Sequence, residues 1–556
     1  MINDESAATA PAGLPPGAPV PTQRQAPPGA APTRRAWTPV WAAAALALLL
    51  GVGWACRLAG PVGDLSAQWA WADFAARHPG AAYDFGWYGG VHPVSYSALT
   101  PYLMAAVGVP AVGVAAAVGA AALLAVLVRR MPAVRRPLPV ALWGAFAMAA
   151  NVIAGRVTFA VGLAFAVAAA VAALPGPGRA VGRWRLAGVA ALAALATIGS
   201  PVAGLFVEVL AAALLFSGRR RVAVALGVPP PVLVIGPSLA FPFDGVYPIP
   251  LSTVIITTLF AVAIALLSPA GWRAVRIGSW LYAAGTVLTA LVTSPIGGNV
   301  QRLGLLFGGV VLLAMVCSDA WGTAGRPRRV ALAVTCVLAL GWTVNADVVG
   351  IPQAPPANQA DGLLVELHAL HAEQARVEAV PRLDHWESWR LLPTVELARG
   401  WNRQADVERN PFFYDGSLTA ARYHDWLQQW SVRYVVLPTG RLDVAGTKEG
   451  AVVRARPAWL EPVWQDQHWQ LFRFTDAQPM VPAPAAVEQA DDGEVALTVP
   501  AAGSVTVRIP WSPWLVAHGP AGACLRQDGD WTRLTTTAPG RYRIDGRYSW
   551  PRGSAC

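Results

Sequence analysis

From Trp37 to about Gly350 the chain is a series of apolar runs separated by short polar steps. A bilayer-crossing helix needs about twenty apolar residues. Runs near that length occur at 37–59, 104–128, 137–153, 157–174, 186–199, 201–217, 222–240, 252–268, 277–293, 303–318 and 330–347. The pattern predicts about eleven transmembrane helices over a domain 37–349. Residues 1–36 are rich in Pro, Ala and Gly and carry no apolar period, so a disordered tail is expected there.

After residue 350 the period changes. The stretch DGLLVELHALHAEQARVEAV reads as an amphipathic helix, and SLTAARYHDWLQQW as another, with Ser417 as its N-cap. VRYVVLP and WQLFRF alternate as strands do, which predicts an α/β domain over 351–478. VALTV, SVTVRIP and YRIDGRYSW, separated by Gly and Pro turns, predict a β-sandwich-like module over 485–556.

Composition sharpens this division. Charged residues make up 13% of the 556 residues, against about 25% in a soluble domain. The deficit lies between Trp37 and Gly350. The net charge of +10 raises the question of nucleic-acid binding. Its arginines, however, sit in the polar steps between runs: Arg34-Arg35, Arg129-Arg130, Arg135-Arg136, Arg219-Arg220-Arg221, Arg328-Arg329. They fall in every second step, as positive-inside loops do, while Asp64, Asp73, Asp84 and Asp244 fall in the opposite ones. The reading is a multi-pass cell-membrane protein with a cytoplasmic N-terminus and C-terminal domains outside, with lipid rather than nucleic acid as its surroundings. Cys56, Cys317 and Cys336 lie in apolar runs. Cys524 and Cys556 lie in the outer part, where a disulfide can form.

The first outer loop, 60–98, is far longer than a connection requires. Asp64 to Arg77 is expected to be a helix on the membrane surface, with Trp69 and Trp71 at headgroup level. Asp64 is then either a helix cap or a functional carboxylate. Arg156 and Arg302 stand at the outer ends of apolar runs, where a charge either snorkels to headgroups or serves a function.

The loop resembles a known group. An Asp soon after the first run, a helix, and then Trp87-Tyr88-Gly89-Gly90-x-His92-Pro93-x-x-Tyr96-Ser97 resemble the first outer loop of bacterial GT-C-type membrane glycosyltransferases and their uncharacterised actinobacterial relatives. AGRVTFAVGLAF and HWESW…ARGW-x-RQ-x-D resemble later segments of the same proteins. The resemblance implies a GT-C-like fold and inverting transfer of a sugar from a polyprenyl-phosphate donor to an envelope glycan, lipid or protein. It places Asp64 as the base for the acceptor hydroxyl, and Arg156 and Arg302 on the lipid phosphate. Asp84, Tyr88, His92, His385, Trp386 and Arg399 are implied in substrate binding, the latter group either as a sugar-stacking surface or as packing. No residues are implied as metal ligands. The resemblance fixes no cofactor and leaves a divalent cation open. Asp64 lacks the adjacent acid that many such enzymes carry. Two alternatives stay open: a non-catalytic scaffold or glycan-binding protein, and a transporter, which calls for charges at mid-membrane that the runs do not obviously hold.

Overall fold

The computed structural model describes residues 34–556 except 177–180, 244, 393 and 521. The expected tail up to residue 33, and Asp244, therefore lie outside the described residues. Six described helices are long and apolar enough to cross a bilayer: Trp37–Arg57, Val109–Arg129, Arg220–Ala240, Arg273–Leu291, Gly297–Val316 and Arg326–Asp347. Four shorter apolar helices, Pro137–Ile153, Val157–Ala173, Pro201–Phe216 and Leu251–Leu267, accompany them. Ala and Gly line their contacts, so backbones approach closely where lipid supplies no hydrophobic drive between helices. The segment Gly297–Val316 is irregular. It begins as a 3-10 turn to Gln301 and passes through a π turn at Gly304–Gly308 before ending α-helical.

Beyond residue 350 lie three sheets. The first has five strands in the order Glu396–Leu397, Arg376–Ala379, Val432–Pro438, Trp469–Phe474, Leu460–Gln465. Its first three strands are parallel and its last two antiparallel. The helix expected from SLTAARYHDWLQQW is Ala420–Gln429. Its cap is Thr419, not Ser417: the Thr419 hydroxyl accepts from the Arg422 N–H at 3.2 Å, and Ser417 instead pairs with Asp415. The other two sheets are antiparallel, one of three strands and one of four. Val495, Leu497, Val507, Ile509, Leu525, Leu534 and Ile544 fill one core of this part. Cys524 and Cys556 form a disulfide.

The loop 60–98 is built into both of these parts. Gly86 and Tyr88 exchange backbone hydrogen bonds with Leu397, extending the edge of the five-stranded sheet. Ala82 and Phe85 donate to the carbonyls of Gly546 and Asp492. Trp71, Trp87 and Tyr88 are buried in the α/β core, and Tyr83 and Phe85 in the β-module core. The helix Asp64–Arg77 forms where expected. It does not lie on lipid: Trp71 packs edge-on against Trp87 and stacks on Tyr96, and Trp69 meets Trp389. The HWESW segment covers the face that was expected to meet headgroups.

Trp87 is fully enclosed, with its indole N–H on the Ser388 carbonyl at 3.0 Å and Gly400 directly against its ring. Trp87→Ala should therefore destabilise the union of loop and α/β domain by about 3–5 kcal/mol, the usual cost of emptying a large aromatic site. Limited proteolysis of the purified protein should show cleavage near residues 60–98 at lower temperature. An unchanged cleavage profile would contradict the packing role.

The α/β domain also buries acids. Burial, followed by the charge of Glu449, raises the Glu378 carboxyl well above its ordinary range. Burial raises Glu396 to about 7, partly offset by Arg376. Burial lowers His385, but its hydrogen bonds to Asp443 and Glu387 outweigh that and raise it. All three groups bind their proton more tightly when folded. Their stabilisation is complete at acidic pH. That of Glu396 is lost between the ordinary carboxylate range and about pH 7, and that of His385 above its ordinary value. The domain should thus melt at a higher temperature at pH 5 than at pH 8, and Glu378→Gln with Glu396→Gln should flatten that slope. Equal melting temperatures in wild type at the two pH values would contradict this.

Candidate functional site

Gly63, at φ 57°, turns the chain into the helix Asp64–Arg77, a conformation suited to a residue without Cβ. Its N–H donates to the Asp384 carbonyl at 2.6 Å. The Asp384 carboxylate is in turn held by Arg382 at 3.0 and 2.9 Å and by the Trp386 N–H. The DHWESW segment thereby fixes where Asp64 begins its helix.

Arg156 reaches Asp64 because Gly155 does. A Cβ on Gly155, at φ 83°, would come within 3.2 Å of the Asp64 Cβ and 3.0 Å of the Leu65 nitrogen. Arg156 then stands with Nε 4.0 Å from Asp64 Oδ2. Arg302, just after the 3-10 turn, places Nη2 3.9 Å from the same oxygen, with its guanidinium over the Phe159 ring. Asp64 is 41% exposed, while the two arginine side chains are 14% and 18% exposed. Arg156 spends Nη1 on Asp347 Oδ1 at 2.6 Å, and Asp347 is buried at the end of the helix Arg326–Asp347. The Arg156 Nε has no hydrogen-bond partner.

A carboxylate open to solvent thus faces two sheltered guanidinium groups without a short hydrogen bond to either. It keeps lone pairs available for a proton, and the arginines keep donors available for an anion. Gln68, one turn after Asp64, ties the site together. Its carbonyl oxygen accepts from the Thr158 N–H at 3.1 Å and hydroxyl at 2.5 Å, and its amide donates to the Tyr96 hydroxyl. Desolvation pushes that phenol up to about 12, so it stays neutral.

The other expected residues do not join this cluster. Asp84 is buried and accepts from the Gly86 N–H at 2.8 Å; burial, then the charge of Asp492, raises its carboxyl well above the usual range. The Tyr88 hydroxyl donates to the Gly400 carbonyl at 2.7 Å. His92 meets the Ala82 carbonyl at 2.8 Å and is lowered to about 4, chiefly by burial, so it is neutral. His385 stacks on Trp401 at 3.5 Å between Glu387 and Asp443. Trp386 lies in the α/β core. Arg399 is enclosed by Asp406, Glu449 and Glu378. The sugar-stacking surface expected from His385, Trp386 and Arg399 is therefore corrected. These side chains are buried, His385 and Arg399 among other residues of the α/β domain itself.

A divalent cation does not fit beside Asp64, where the nearest charged groups are two guanidiniums. Among the described residues, His78, Asp491 and Asp492 have metal-ligand chemistry. Arg77, at 2.6 Å from Asp492, already supplies the positive charge there. Sequence reasoning passed over Asp347, Gln68 and Thr158. Asp347 had a signal: an acid ending an apolar run is costly unless it is paired. Glu208, within Pro201–Phe216, likewise corrects the expectation that the runs lack acids.

A family described as a domain of unknown function (DUF8823) matches residues 482–556. No curated protein matches the chain. Among the solved structures similar to it are the following two. One is the arabinofuranosyltransferase AftD from Mycobacteria, with a TM-score of 0.44, 13% identity, and coverage of 92% of this chain and 57% of that one. The other is the oligosaccharyltransferase of Archaeoglobus fulgidus tethered with an acceptor peptide, with a TM-score of 0.43, 12% identity, and coverage of 72% and 69%. The chain spans little more than half the length of the arabinofuranosyltransferase.

Proposed function

We propose that the chain is a membrane glycosyltransferase that moves a sugar from a polyprenyl-phosphate donor to an acceptor hydroxyl outside the cytoplasm. The observation that carries this reading is the meeting of Asp64, Arg156 and Arg302 at the mouth of the apolar helices. A lipid phosphate reaches such a site from the bilayer, and an acceptor from water. Asp64, the most exposed member, accepts the hydroxyl proton as that oxygen attacks the anomeric carbon. The bond from the anomeric carbon to the phosphate oxygen breaks, and the phosphate leaves as an anion. Arg156 and Arg302 stabilise that charge in a sheltered setting, where it counts for more than in water. Attack opposite to the leaving phosphate inverts the anomeric centre. Asp347 orients Arg156 by holding Nη1, which leaves Nε on the side of Asp64.

In this reading the Arg-bearing polar steps face the cytoplasm, and the C-terminal domains lie outside with the site. The scaffold alternative has no comparable need for a solvent-open carboxylate between two cations.

Purified protein in lipid nanodiscs, given labelled polyprenyl-phosphate sugars and envelope acceptors, should transfer label. Asp64→Ala should lower kcat by at least about a hundredfold, the range of a lost general base, and leave the fold intact. Transfer by that variant at the wild-type rate would remove Asp64 from the role.

Asp347→Asn should reduce transfer more than tenfold, and Asp347→Glu should restore part of it. A variant that expresses and melts normally yet transfers at the wild-type rate would separate Asp347 from the orientation of Arg156.

A further inference from the structure

The C-terminal segment Arg547–Arg552 reads Arg-Tyr-Ser-Trp-Pro-Arg, and every residue in it is exposed. Trp550 is 89% exposed, the highest value among the large hydrophobic side chains of the described residues. An isolated exposed tryptophan needs no explanation by itself. Its position does. Trp514, the neighbour of this segment in the β module, donates its indole N–H to the Ala240 carbonyl at 2.8 Å. Ala240 is the last residue of the apolar helix Arg220–Ala240. Phe241 stacks on Trp514 at 4.7 Å and meets Tyr548 edge-on at 5.8 Å. The Arg552 guanidinium lies 5.8 Å from the Trp514 ring. Tyr548 also lines a cavity with Tyr102, in the first turn of the helix Thr100–Val107.

The segment is thus fixed at the level where an apolar helix ends. A membrane surface must cross the molecule near Ala240, since the side chains just before it, Ile235 and Leu239, are apolar and exposed. At that level Trp and Tyr are favoured with their ring in the interface and their polar edge toward water, and Arg pairs with lipid phosphates. We propose that Arg547–Arg552 is an interfacial anchor of the β module: Trp550 sits among lipid headgroups with Arg552 on their phosphates, while Arg547 is held by Asp545 at 2.9 Å. The occupant of this surface is the bilayer that holds the helices, and the surface is continuous with theirs. The inference is independent of any catalytic activity.

The test uses the full chain with Cys56, Cys317 and Cys336 changed to Ser and the Cys524–Cys556 disulfide kept. Trp550→Cys is labelled with a nitroxide and reconstituted in nanodiscs of phosphatidylglycerol and phosphatidylcholine. Ala501→Cys, in an exposed turn of the same module, is the reference. At 550 the label should be relaxed more by oxygen, which concentrates in lipid, than by a water-soluble nickel chelate, with the order reversed at 501. Nickel access at 550 equal to that at 501 would overturn the anchor and leave the surface to an aqueous partner. Ser549→Cys, labelled in the same way, guards against a local effect of losing Trp550. It should also show several-fold less nickel access than 501, and access equal to 501 at either position would end the proposal.

Discussion

Everything near Asp64 depends on the burial of the loop 60–98. A connection between two membrane helices ordinarily runs over the surface, since buried irregular backbone leaves polar groups unpaired. Here those groups are paired by sheet edges. Gly86 and Tyr88 bond to Leu397, and Ala82 and Phe85 to the β module. Once the backbone is satisfied, Trp71, Trp87, Tyr83 and Phe85 can be committed to two separate cores. The loop behaves as a shared structural element of the parts it joins, and Asp64 inherits its rigidity.

That rigidity gives the DHWESW segment its meaning. Its aromatic and charged residues look like a recognition surface in one dimension. In three dimensions Asp384 holds Gly63, Trp386 fills a core, and Trp389 donates its indole N–H to Asp73 at 2.7 Å. The segment acts on the site through the backbone that carries Asp64. The close packing of Gly155 does the same for Arg156 from the membrane side. Two supports that are distant in sequence set one distance of about 4 Å.

The apolar runs and the helix Asp64–Arg77 were legible because period and length are local properties. The strands VRYVVLP and WQLFRF were legible for the same reason. The convergence of Asp64, Arg156 and Arg302 was suggested by a resemblance and by the cost of charge at a helix end, both of which are readable in one dimension. What was not legible was which side of an aromatic residue meets protein. Trp71 at a lipid surface and Trp71 in a core have the same spacing. Only the α/β-domain side chains of its core cluster, brought from about three hundred residues away, decide between them. Asp347 escaped notice because its reason for being there, Arg156, lies 191 residues earlier.

The pairing of Arg77 with Asp492 bridges 415 residues, and that of His92 with Ser512 bridges 420. A ribosome finishes the loop long before it makes the sheets that receive it. For most of synthesis, at about 5–20 residues per second, the loop's aromatics await their cores. The loop is thus completed by residues made more than four hundred positions later. A chain stopped anywhere before the β module would leave that loop without its full set of partners.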